Sequence, residues 1–153
     1  MDNQNGTFSV ARFTKVLLDL LFVLAILGTI TLPYTLRLAA KLYPTLGTHL
    51  TGQSILLMAC GVGAAAIIFE LRRMLRTVLC ENAFVRNNVI SLQRMGYFAL
   101  GIAVLSAARL LLVCTPATLV IIGVFFLAAL FSFVLAQVFD RAVSYKEEND
   151  LTI

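Results

Sequence analysis

Four long apolar runs divide this chain, and the polar residues between them are shared unequally. The runs cover roughly residues 16–32, 54–71, 92–113 and 117–139, each close to the about 20 residues an α-helix needs to cross hydrocarbon. The first is expected to stop at Pro33-Tyr34, because proline supplies no amide donor and disfavours helix at the preceding residue. Thr35 to Tyr43 then reads as a short interfacial helix with Leu36, Ala39, Ala40 and Tyr43 on one face, and residues 44–53 as a loop. A tight turn at Cys114-Thr115-Pro116 joins the last two runs, and residues 140–153 form a charged tail. The pattern predicts an all-α, integral membrane four-helix bundle that forms one unit over residues 1–153.

The longest polar interval, Glu70 to Arg94, lies between the second and third runs and is itself helical in pattern. Leu71, Leu75 and Val78 recur at helical spacing opposite Arg72, Arg73 and Arg76, so the second helix is expected to continue beyond the membrane surface. Asn82 suits an N-cap for the next helix. From Phe84 onward Val85, Val89 and Leu92 form one stripe, with Arg86, Asn87 and Gln93 elsewhere. The predicted result is a helical hairpin between spans two and three.

Charge fixes the expected orientation. Of twelve Lys and Arg residues, nine lie near the ends that share the connector: Arg12, Lys15, Arg72, Arg73, Arg76, Arg86, Arg94, Arg141 and Lys146. Only Arg37, Lys41 and Arg109 lie at the other ends, so the positive-inside rule puts both termini and the hairpin in the cytoplasm. The net charge of +4 is thereby explained by topology, and no direct nucleic-acid contact is called for. Hydrophobic residues make up 60% of the chain and mean hydropathy is +0.94, which excludes an ordinary soluble domain. Met1 to Arg12 is polar and does not resemble a cleaved signal. The bacterial cytoplasmic membrane is the expected location.

Candidate chemistry is sparse. Cys60, Cys80 and Cys114 lie at different depths and lack the spacing of a disulfide, metal site or redox pair. The only histidine, His49, is in a loop. An intramembrane enzyme needs a nucleophile with a base, or a metal cluster, and neither is visible, so a non-enzymatic chain without cofactors is expected. A channel or proton-coupled transporter usually carries acidic residues at the mouth or inside the spans. Only Asp19, Ser106, Arg109 and Ser132 are placed to line a polar path here, so a small transporter or channel subunit is the second reading. Asp19 is placed to pair with Lys15 on its own helix or with Arg94 on the third, and Arg109 to extend its head to the interface.

Helix association in lipid relies on small residues. Ala99, Ala103 and Ala107 after Gly96, Ala59 with Gly63, Gly61 with Ala65, and Ala128 with Ser132 and Ala136 should face the bundle interior or, alternatively, a homodimer partner. Phe125, Phe126 and Phe133 should largely face lipid. In the tail, Glu147, Glu148 and Asp150 can lie against Arg72, Arg73 and Arg76, and the alternating Leu151-Thr152-Ile153 suits a strand added to another protein's sheet.

The stretches Glu81-Asn82-Ala83-Phe84-Val85-Arg86-Asn87-Asn88-Val89, Leu92-Gln93-Arg94-Met95-Gly96 and Lys146-Glu147-Glu148-Asn149-Asp150-Leu151-Thr152-Ile153 resemble the connector and ending of a bacterial membrane-protein family. It is catalogued as domain of unknown function 2975 (DUF2975). The resemblance extends from the first span to Ile153, with Ala83 standing where the family often has proline. It implies a four-span protein, often encoded beside a small helix-turn-helix regulator. The expected function is therefore a membrane anchor or sensor that binds such a cytoplasmic transcription regulator. Its contact surface would comprise Arg72, Arg73, Arg76, Asn82, Phe84, Arg86, Asn87, Glu148, Asn149, Asp150, Leu151 and Ile153.

Overall fold

The computed structural model describes residues 2–42, 49–79, 85–112 and 114–150, with side chains from Arg12 to Asn149. It comprises four helices: α1 (Asp2–Leu42), α2 (Leu50–Leu79), α3 (Arg86–Leu110) and α4 (Pro116–Asp150). All four are long and apolar enough to cross a membrane, and the protein is accordingly a multi-pass membrane protein.

The helices pack in chain order, α1 on α2, α2 on α3 and α3 on α4, with no comparable interface between α1 and α4 among the described residues. Half of the most apolar window of α3 is buried and none of that of α1. This makes α3 the core helix and α1 a peripheral one. Val89, Leu92, Ala99, Ile102 and Ala103 form the buried face of α3, and Ala129, Ala136 and Val143 that of α4. The predicted Val89–Leu92 stripe and the Ala99–Ala103 row therefore point inward, whereas Ala59 and Ala107 are exposed.

Two glycines let α2 serve two neighbours. A Cβ on Gly61 would collide with the Thr29 side chain of α1, and one on Gly63 would lie 2.9 Å from Cγ1 of Ile102 on α3. Close approach through absent side chains is how helices gain contact when hydrocarbon provides no drive to associate.

Three expectations are corrected. First, α1 does not stop at Pro33 but runs through it for 41 residues. Transmembrane helices tolerate proline because hydroxyls and neighbouring groups answer the disturbed backbone. The carbonyl that Pro33 leaves without its amide is that of Thr29; the hydroxyls of Thr29, Thr31 and Thr35 bond to the nearby carbonyls of Ala25, Leu27 and Leu32 at 2.7–2.9 Å and tie these side chains to the helix itself. Second, residues 140–150 are the last turns of α4, anchored by the buried Val143 and by an ion pair from Asp140 to Arg86 of α3. Third, Phe133 does not simply face lipid. Its ring covers Gly96, where a Cβ would come within 2.7 Å, and meets Tyr97 edge-on at 5.1 Å between centroids.

Candidate functional site

The ends of α2 and α3 that flank the connector bury Glu70, Asn88 and Ser91, half of the buried polar residues among those described. α2 continues past its apolar run as expected, but Val78 is exposed, and the inward stripe is Glu70, Met74 and Thr77. Glu70 is only 4% exposed. Its Oε2 accepts a hydrogen bond from the Ser91 hydroxyl at 2.7 Å, and its Oε1 lies 3.4 Å from Nη1 of Arg94. One turn or two further along, Thr77 donates to Oδ1 of the buried Asn88 at 2.8 Å. Buried polar groups are retained where each finds a partner, and this ladder joins α2 to α3.

Asp19 belongs to a different pair from either expected. Its Oδ1 lies 2.6 Å from Nε of Arg72, an ion pair without the alignment of a hydrogen bond. The Arg72 guanidinium also sits over the Phe22 ring, 4.7 Å from its centroid, and Phe22 packs on Phe69 at 6.3 Å. The Asp19–Arg94 pair does not form because α2 lies between α1 and α3, so each ion finds its partner on α2 instead.

Arg72 is thus neutralised and stacked, while Arg73 and Arg76 are exposed and have no carboxylate partner among the described residues. With Phe69 and Arg72 they line an open cavity of about 280 Å³. Among the described residues, Glu147, Glu148 and Asn149 do not line it. Glu147, Glu148 and Asn149 continue α4 on an exposed stretch, and α4 packs on α3 rather than on α2. The backbone at Asp150 is helical, and the strand expected of Leu151-Thr152-Ile153 lies outside the described residues. Arg86 is held by Asp140, and Asn87 is exposed beside it. Asn82, Phe84, Leu151 and Ile153, like Cys80, lie outside the described residues. The N-cap position of α3 is Val85, extended at φ −130° and ψ 147°, with no side-chain cap.

The sequence reading missed Glu70, Thr77, Asn88 and Ser91 as a set. The signal was present for α3, because Asn88 and Ser91 share the stripe of Val89 and Leu92. A polar residue on a buried stripe asks for a partner, and Glu70 is the acid on the facing helix.

Four apolar helices with a buried polar ladder at one end define a multi-pass helical membrane protein. The chain belongs to the family described as protein of unknown function (DUF2975), whose sequence pattern matches residues 38–153. The match begins late in α1 and takes in all of α2, α3 and α4. No curated protein and no solved structure matches the chain.

Proposed function

We propose that this is a non-enzymatic anchor or sensor of the bacterial cytoplasmic membrane whose connector end faces the cytoplasm and docks an acidic segment of a soluble partner. The observation that carries the reading is the cavity lined by Phe69, Arg72, Arg73 and Arg76, where Arg73 and Arg76 have no carboxylate partner among the described residues. Guanidinium groups match carboxylates in a planar, two-point geometry, and an exposed pair beside an aromatic suits a short acidic peptide better than a single-ion contact. The distribution of Lys and Arg supports the orientation. The family resemblance suggests a small helix-turn-helix regulator as the partner. A transporter or channel subunit is less well supported, because the ionisable side chains gather toward the two ends of the bundle and leave the middle apolar.

The test is photo-crosslinking from position 76 in native membranes, with and without Arg73→Glu. A soluble protein captured through an acidic segment, and lost on charge reversal, is the expected result. Capture that is indifferent to Arg73→Glu, or crosslinks to lipid alone, would refute the docking role.

A further inference from the structure

Toward the opposite end of the bundle a cleft lies between the helices. Its volume is about 250 Å³, and its walls include Leu32 of α1, Cys60 of α2, Ser106 and Arg109 of α3, and Thr118 and Phe125 of α4. The walls are apolar except at one end, where Arg109 sits.

Arg109 is poorly satisfied by the protein. Its Nη1 lies 3.3 Å from Oγ1 of Thr118, a long contact, and Thr118 already shares a 2.7 Å hydrogen bond with Thr115. Its Nε is buried and has no hydrogen-bond acceptor among the described residues. No carboxylate can be supplied from nearby chain, since no acidic residue occurs between Asp19 and Glu70 or between Glu81 and Asp140. An intramembrane arginine ordinarily pairs or reaches an interface, and a desolvated N–H with no acceptor is costly. Toward the connector end, by contrast, Arg72 faces Asp19 and Glu70 faces Arg94.

The geometry points to an anionic phospholipid in this cleft, its acyl chain along Leu32 and Phe125 and its phosphate on the Arg109 guanidinium beside Thr118. Arginine binds phosphate through parallel N–H donors, and the Arg109 guanidinium that lines the cleft is placed to supply them. A soluble anion would leave the apolar walls uncovered; a zwitterionic lipid would bring its own cation to the same place. The cleft and the arginine cavity lie at opposite ends, so neither assignment depends on the other.

Native mass spectrometry of the purified full chain with phosphatidylglycerol and phosphatidylcholine of matched acyl chains tests it. One phosphatidylglycerol should persist per chain under conditions that strip phosphatidylcholine. Arg109→Gln should weaken its retention about tenfold, the scale of a lost charge-assisted hydrogen bond, with Arg109→Lys intermediate. Ala64→Phe, which fills the cleft and leaves Arg109 in place, should also reduce retention. Thermal unfolding of the unmodified chain gives a second reading: phosphatidylglycerol should raise the midpoint and inorganic phosphate should not. Equal retention of the two lipids, unchanged retention in Arg109→Gln, or equal protection by inorganic phosphate would overturn the assignment.

Discussion

Ser91 of α3 donates its hydroxyl hydrogen to Glu70 of α2 at 2.7 Å, with Ser91 1% and Glu70 4% exposed. The two are 21 residues apart in sequence, and their contact marks where the α2–α3 interface changes from apolar to polar. A buried carboxylate is tolerated only when its oxygens are answered, and Ser91 and Arg94 answer one each.

Removing the serine hydroxyl should therefore cost more than removing the arginine charge. Ser91→Ala leaves Oε2 of Glu70 buried without a donor and should destabilise by about 1–3 kcal/mol. The Arg94 side chain is 53% exposed, so Arg94→Gln should cost under about 1 kcal/mol. Replacing both buried partners, Glu70→Met with Ser91→Ala, should recover most of the loss because no unmet polar atom remains. Unfolding in mixed detergent micelles measures all three; a larger effect from Arg94→Gln would show that charge governs the ladder.

The α1–α2 contact should couple Asp19 to Arg72 and leave Arg94 outside it. A double-mutant cycle on Asp19→Asn and Arg72→Gln should return a coupling of about 0.2–1 kcal/mol, the range for partly exposed pairs. The same cycle with Arg94→Gln should return nearly zero. Arg72→Ala should exceed Asp19→Ala, since it also removes the contact over Phe22, about 0.5–1 kcal/mol at an exposed site.

These pairings show what a sequence can and cannot convey in such a protein. Four helices, the continuation of α2 past the apolar run, and the inward stripe of Val89 and Leu92 follow from periodicity, which is a local property. Pro33 and residues 140–150 depart from their local preference: α1 runs on through the proline, and Arg86 with Val143 holds the end of α4 in place. Spacing along α1 offers Asp19 to Lys15, and depth offers it to Arg94. Depth does not reveal which helix stands between, and here it is α2. The burial of Glu70 is not legible either, since it depends on rotation about the helix axis.

Gly96 and Gly101 provide a matched pair of substitutions on one helix. Gly96→Ala places a methyl 2.7 Å from the Phe133 ring, so the ring must shift away from Tyr97, and a loss of about 1–3 kcal/mol is expected. Phe133→Leu should restore part of it. Gly101→Ala meets nothing within 4 Å and should be neutral or stabilising by up to about 1 kcal/mol through helix propensity. Equal effects at the two positions, in thermal unfolding in detergent, would contradict the packing of α3 on α4.

The orientation of the whole molecule can be read from its own cysteines. Cys114 is exposed in the short link between α3 and α4, and Cys60 is half-buried within α2. Cys80 follows α2 directly at the connector end. Nine of twelve Lys and Arg residues lie toward that end, and translocating such a cluster is what the positive-inside rule opposes. In intact cells, a membrane-impermeant maleimide should therefore label a variant retaining only Cys114 and spare one retaining only Cys80 until the membrane is opened. Both α2 and α3 begin or end at these links, so the two thiols must report opposite sides if the helices cross as described. Labelling of Cys80 first would invert the molecule and place Arg73 and Arg76 outside the cell, where no cytoplasmic regulator could reach them.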